Sequence, residues 1–139
     1  MSLRIHVLSA LHRELYRASG GRLGGSLIRM PVLLLTTRGR RSGRQRTVPL
    51  TYLRDGDDLV LIASYGGSPR HPAWFLNLAA DAEVEVRIGR GRRRMKARRA
   101  APDERARLWP KVVETYDGYA AYQRRTTREI PLVFLSASR

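Results

Sequence analysis

The sequence predicts an α+β domain whose sheet is mainly antiparallel and closes, or partly closes, into a barrel with helices on its flanks. Three observations carry this. Most of the strand-like segments meet through tight turns, whereas parallel βαβ winding needs a helix between most strands. The order along the chain reads helix, three strands, helix, two strands, helices, strand. The 139 residues, 42% of them apolar, suffice for one core in one domain, without internal repeats or a low-complexity tail.

Each element follows from its pattern. Residues 3–18 form an amphipathic helix: Leu3, Val7, Leu8, Leu11 and Leu15 recur at three- and four-residue steps, and Gly20-Gly21 and Gly24-Gly25 end it. Such a helix either packs on the domain or lies, basic side outward, on a membrane surface. Residues 1–25 are therefore an N-terminal helix with a glycine-rich linker, and 26–139 the barrel domain. Val32–Thr37 is apolar and β-branched, Arg38–Arg44 is a turn with two glycines and a serine, and Thr47–Leu53 resumes as strand. Asp55-Gly56-Asp57-Asp58 is a tight hairpin turn, and Leu59–Ala63 returns from it. Gly66-Gly67 and Pro69 break the meander, Pro72 opens a helix, and Ala73–Ala80 has helical composition. Glu83–Ile88 alternates Val84, Val86 and Ile88 inward with Glu83, Glu85 and Arg87 outward. Gly89-Arg90-Gly91 turns it into the basic strand Arg92–Ala100. Helices over Asp103–Tyr116 and Gly118–Arg125 and a last strand, Ile130–Leu135, complete the order.

Charge narrows the function. Lys and Arg number 27 against 12 Asp and Glu, a net charge of +15, and only Lys96 and Lys111 are lysine. Guanidinium forks suit phosphates and carboxylates, although a GC-rich genome also favours arginine. A nucleic acid, a membrane surface or a polyanionic small ligand would each answer that charge. The absence of cysteine removes thiolate nucleophiles, disulfides and Cys-ligated metals, and makes an intracellular, cytoplasmic location the expectation. No secretory signal and no membrane-spanning run is expected; the longest apolar run, Val32-Leu33-Leu34-Leu35, is strand-sized.

Three segments can carry chemistry. The first, Thr36 to Arg46, sets five arginines in the nine residues from Arg38 around Gly39, Ser42 and Gly43, either an anion nest or a solvated basic hairpin. The second, Ser64 to Leu78, pairs Gly66-Gly67, which let backbone approach a flat ligand, with Trp74 and Phe75, more commonly a core pair. The third is Tyr116, Tyr119 and Tyr122, whose three-residue steps put three phenols on one helical face, as a substrate wall or as a core stripe. Paired carboxylates, a GxSxG elbow, a Walker loop and a dinucleotide fingerprint are missing, and three scattered histidines make no zinc site. An enzyme built this way takes its reactivity from a bound cofactor.

At these residues the chain resembles the deazaflavin-dependent nitroreductase family, relatives of the flavin-binding split-barrel proteins. The matching segments are Leu34-Leu35-Thr36-Thr37-Arg38-Gly39-Arg40-Arg41-Ser42-Gly43, Arg46 through Pro49-Leu50, Ala63-Ser64 with Gly66-Gly67, His71-Pro72-Ala73-Trp74 with Asn77-Leu78, and Arg128-Glu129-Ile130-Pro131. Their order and spacing agree over roughly three quarters of the chain. The resemblance implies a split β-barrel and coenzyme F420 rather than a nicotinamide. It assigns the coenzyme's phosphate and acidic tail to Arg40, Arg41, Ser42, Gly43 and Arg46. It places Pro49 and Leu50, the backbone of Ala63, Ser64, Gly66 and Gly67, and nearby Trp74 and Asn77 around the deazaflavin. Tyr116, Tyr119 and Tyr122 then wall the substrate pocket, with Tyr119 the first choice to stabilise or protonate the product. The chain departs from many relatives at Tyr65, where they carry lysine.

The expected activity is hydride transfer from reduced F420 to an electrophilic small molecule such as a quinone, an enone or a nitro compound. The alternatives are a non-catalytic F420 or flavin carrier or sensor and, less in keeping with the sequence, a nucleic-acid-binding protein. The basic strand lacks interleaved aromatics for base stacking, and neither a helix-turn-helix nor a zinc finger is visible. A peripheral membrane contact through residues 3–18 is compatible with the enzyme.

Overall fold

The structure, a computed structural model, describes residues 31–138. The helix expected at 3–18 and the linker ending at residue 25 lie outside them. Six strands, β1 (Val32–Arg38), β2 (Gln45–Asp55), β3 (Asp58–Ile62), β4 (Glu83–Ile88), β5 (Gly91–Arg99) and β6 (Leu132–Ala137), are joined with three helices, α1 (Ala73–Ala80), α2 (Pro102–Thr115) and α3 (Gly118–Arg125). The strands close into a barrel in the order β1-β2-β3-β6-β5-β4, every pairing antiparallel. The expected barrel is therefore present, and β4 and α3 have the expected bounds.

Alternation fills the interior. Leu33 and Leu35 of β1, Tyr52 of β2, Leu59 and Leu61 of β3, Val84 and Val86 of β4, Met95 and Ala97 of β5, and Val133 and Leu135 of β6 form one cluster, to which α1 adds Trp74, Phe75 and Leu78. Each large side chain so enclosed contributes about 1.5–3 kcal/mol. The outward residues of β3 and β6 are buried too. Val60, Ile62, Leu132 and Phe134 lie in a second cluster with Leu108 and Val112 of α2 and Tyr119 of α3. Burial on both faces is why β3 and β6 read as continuous apolar runs instead of alternating.

One irregularity positions the site. β2 pairs with β1 from Gln45 to Thr51 but with β3 only from Tyr52 to Asp55. Among the described residues the first half of β2 thus has one strand partner, so the barrel closes through the second half of β2 alone. Pro49, lacking an N–H, is tolerated because that stretch is an edge. The hairpin after β2 turns at Gly56, φ +62°, the first of its two central residues. Pro72 immediately precedes α1, its carbonyl accepting from Phe75 N–H (3.1 Å). Within α2, Pro110 withdraws the bond to the Ala106 carbonyl.

Candidate functional site

The turn between β1 and β2 is a closed, backbone-rich loop. Gly39 N–H donates to the Arg44 carbonyl (2.7 Å) and Gly43 N–H to that of Gly39 (2.8 Å). Gly43 has φ +73°, and a Cβ on Gly39 would stand 2.8 Å from Ser42 Oγ. Gly43 is thus favoured by its left-handed backbone, and a side chain at Gly39 would displace the Ser42 hydroxyl and crowd the Arg44 carbonyl (3.2 Å). Ser42 Oγ accepts from the Arg44 N–H (3.1 Å) and from Arg46 Nη2 (3.2 Å). Arg46 Nη1, by contrast, is buried with no partner among the described residues. A buried guanidinium N–H without an acceptor is costly and calls for an anionic one. Arg40 and Arg41 extend exposed from the same turn.

Asn77 supports this turn from α1. Its Oδ1 accepts from Arg40 N–H (3.1 Å) and Arg40 Nη1 (3.3 Å), and its Nδ2 donates to Thr37 Oγ1 (3.2 Å). Asn77 is 4% exposed and Thr37 2%. The amide is spent at both ends inside the protein, so it acts through Arg40. Trp74, 8% exposed, packs edge-on to Phe75 with centroids 6.3 Å apart, inside the barrel cluster.

The segment after β3 packs against α3. Tyr65, Gly66 and Gly67 all have positive φ, +47°, +63° and +83°. Gly67 N–H donates to the Ser64 carbonyl (2.9 Å) and Ser68 N–H to that of Tyr65 (3.0 Å). A Cβ on Gly67 would meet the Tyr122 carbonyl at 2.6 Å, so this turn is pressed directly on α3. Arg128 holds it from the other side. Its Nε donates to the Ser68 carbonyl (2.9 Å), Nη2 to Ser64 (2.8 Å) and Nη1 to Ala63 (3.2 Å), with His71 Nδ1 also 3.2 Å from Nη1. Burial first, then the positive charges of Arg128 and Arg99, keep the His71 pKa below its ordinary value. A neutral ring accepts the Arg128 proton.

The tyrosines form an edge-to-face triangle, with centroid separations of 5.3 Å (Tyr116–Tyr119), 5.8 Å (Tyr119–Tyr122) and 6.5 Å (Tyr116–Tyr122). They do not share one helical face. Tyr116 ends α2 with extended φ/ψ (−151°, 105°), and only Tyr119 and Tyr122 are on α3. The break works because residue 118 is glycine: a Cβ there would lie 2.5 Å from the Tyr116 ring. Tyr119 is buried and its Oη is 2.7 Å from Thr51 Oγ1 on the free edge of β2. Burial pushes the Tyr119 phenol up to about 12, the Thr51 bond opposing part of the shift. Burial, and next the neighbouring Tyr122 phenol, also raise Tyr116.

The arginine turn, the glycine turn and the tyrosines thus occupy the β1–β2 turn, the segment after β3, and the end of α2 with α3, and the first half of β2 is linked to α3 through Thr51–Tyr119. Pro49 is buried in that stretch and Leu50 packs against the interior cluster. Thr51 and Arg128 escaped the sequence reading of roles. Thr51 is two residues past Pro49, and Arg128 lies within a matching segment, but their partners are 68 and 57 to 65 positions away. Groups of three or more metal-ligating side chains are absent among the described residues, and no helix among them is long and apolar enough to cross a membrane.

The described residues thus form an antiparallel barrel with an arginine- and glycine-rich turn and a cluster of three phenols, and the class of protein follows from comparison: a deazaflavin-dependent reductase. The family model described as F420H(2)-dependent quinone reductase matches residues 8–137. The chain is 42% identical over 133 residues to a putative F420H(2)-dependent quinone reductase of Mycobacterium bovis, covering 93% of this chain and 89% of that protein. An F420H(2)-dependent quinone reductase of Mycobacterium tuberculosis matches equally. Among solved structures, an F420-H2 dependent reductase superposes with a TM-score of 0.69 at 37% identity, covering 76% of this chain and 94% of that one. A heme storage protein from Vibrio cholerae, 11% identical with a TM-score of 0.58, shares the fold alone. The chain belongs to the F420H(2)-dependent quinone reductase family. It is an F420-dependent oxidoreductase, and coenzyme F420 is its cofactor. Arg46 Nη1, buried without a partner among the described residues, and the exposed Arg40 and Arg41 of the same turn fit a ligand carrying phosphate and carboxylates.

Proposed function

We propose that this chain reduces a quinone-class acceptor bound against Tyr116, Tyr119 and Tyr122. Arg40, Arg41 and Arg46, with Ser42 and Gly43, would hold the coenzyme's phosphate and acidic tail. Pro49 and Leu50 and the backbone of Ala63, Ser64, Gly66 and Gly67 would border its ring, with Trp74 and Asn77 as support from behind. Reduced F420 supplies a hydride. What the chain adds is a proton held at a fixed atom. The observation that carries this reading is the Tyr119 hydroxyl, buried, 2.7 Å from Thr51 Oγ1 and protonated throughout the neutral range. A quinone oxygen gains negative charge as the ring carbon is reduced, and a preoriented phenol O–H stabilises that charge. With Thr51 Oγ–H donating to Tyr119 Oη, the phenol proton is free for the acceptor.

Removing one such donor costs on the order of 10²-fold in kcat. Tyr119→Phe should therefore reduce quinone turnover on that scale, followed by loss of F420H2 absorbance, while F420 affinity by fluorescence titration stays close to wild type. Turnover equal to wild type removes Tyr119 from the reaction. Enones and nitro compounds, which also develop charge on oxygen, would be served by the same donor. A lipid-soluble quinone is met from the cytoplasmic side of a membrane, and a contact through residues 3–18 belongs to the same reading. Sedimentation with anionic liposomes, with and without residues 1–25, tests that contact.

A further inference from the structure

We infer that Arg128 is a positioning residue that locks the turn Ala63–His71 against the tyrosine-bearing helix and thereby sets both the coenzyme-facing backbone and the substrate wall. This rests on the proposed reading that the Ala63–Gly67 backbone borders the coenzyme.

The turn does not hold its shape by local preference. Tyr65 has φ +47° and a 60% exposed side chain that packs on little, followed by two more residues in the left-handed region. A non-glycine residue is strained there and persists only where its surroundings over-determine it. Arg128 supplies that determination. One planar guanidinium satisfies the carbonyls of Ala63, Ser64 and Ser68 and faces His71 Nδ1, so positions on both sides of Tyr65-Gly66-Gly67 are tied to one rigid fork. Four acceptors arranged around one plane match arginine and no other side chain.

The fork is itself anchored to α3. Arg128 N–H donates to Thr126 Oγ1 (3.3 Å), and the Arg128 carbonyl accepts from Gln123 Nε2 (2.7 Å). Gln123 Oε1 in turn accepts from Ile130 N–H (2.9 Å). Arg125 Nη1 donates to the Gly66 carbonyl (3.3 Å), and Gly67 abuts the Tyr122 carbonyl. Turn and helix therefore move as one body, with Arg128 as the shared joint. Arg105 is a useful contrast. It is also partly buried and bonds the Ile130 carbonyl (2.8 Å) and Gln123 Oε1 (3.0 Å), but none of its hydrogen bonds goes to the turn.

The test compares Arg128→Lys with Arg105→Lys and Arg46→Ala, reading amide hydrogen exchange of residues 63–71 in the coenzyme-free protein, F420 affinity by fluorescence titration, and melting temperature. Lysine keeps the charge and cannot reach four acceptors. If the bound-competent turn falls to a tenth of the population, apparent affinity drops about tenfold. We expect faster exchange at 63–71 and that loss of affinity in Arg128→Lys, with Arg105→Lys lowering only the melting temperature. His71→Ala, which deletes one acceptor, should give a smaller effect in the same direction and serves if Arg128→Lys does not accumulate folded. Unchanged exchange in Arg128→Lys overturns the inference. So does faster exchange with unaltered affinity while Arg46→Ala binds weakly, because the turn is then mobile yet not a coenzyme wall. If Arg46→Ala also binds normally, the coenzyme reading of the site fails, and this inference with it.

Discussion

Replacing Asn77 with leucine separates a buttress from a ligand contact. The side chain is 4% exposed and makes three bonds, two accepted from Arg40 and one donated to Thr37. Leucine fills the volume and supplies none. The Thr37 hydroxyl, itself 2% exposed, is left unpaired, at about 1–3 kcal/mol. The Arg40 N–H loses roughly 1 kcal/mol, and the exposed Arg40 guanidinium turns to water at little cost. The sum is about 2–4 kcal/mol, which for a chain of this size lowers the melting temperature by about 10 °C. Asn77→Asp is the control. Its carboxylate still accepts from Arg40, and the Thr37 hydroxyl can donate to the second oxygen, so its loss should be smaller. In a fluorescence titration, coenzyme affinity should fall in Asn77→Leu and be largely kept in Asn77→Asp, because what matters is the support of Arg40. A melting temperature within a degree or two of wild type, or equal affinity losses in both variants, would refute the reasoning.

Coenzyme affinity should decline as ionic strength rises, and Arg46→Ala should both weaken binding and flatten that salt dependence; an unchanged slope removes Arg46 from the anion site. Gly118→Ala brings a Cβ to 2.5 Å from the Tyr116 ring, so it should displace that phenol and lower quinone turnover while F420 affinity is retained. For His71 the sign is fixed by its lowered pKa: between 6.5 and the lower folded-state value, the unfolded chain binds the proton and the folded chain does not. Its stabilising effect is thus complete above pH 6.5 and fades as pH falls through the folded-state value. Melting curves of wild type and His71→Gln should diverge less at pH 5 than at pH 7.5, and parallel curves would exclude it.

Local physics written in neighbouring residues was legible in the sequence. Alternation placed Val84 and Val86 inside β4, the glycines marked the turns at 39–43 and 66–67, and the unbroken apolar stretches fell where strands are covered on both faces. The arginine turn and the tyrosine series were visible as residue types at short spacing. Their geometry was not. A step of three suggested a single helical face, yet the end of α2 at Tyr116 and the missing side chain of Gly118 build the triangle. Trp74 and Asn77 share a segment with the coenzyme motif, yet the fold turns one into the core and spends the other on Thr37 and Arg40.

The sequence by itself determined the order of the elements from β1 to β6 and the basic, glycine-bearing turn, because period, turn chemistry and charge are properties of adjacent residues, while the redox coenzyme entered only through the family resemblance. Only the tertiary structure decided where β2 loses its second partner, that Thr51 meets Tyr119, and that one guanidinium at Arg128 gathers Ala63, Ser64, Ser68 and His71. Those contacts span some 57 to 68 positions, and chain closure over such distances is set by how the whole sheet folds.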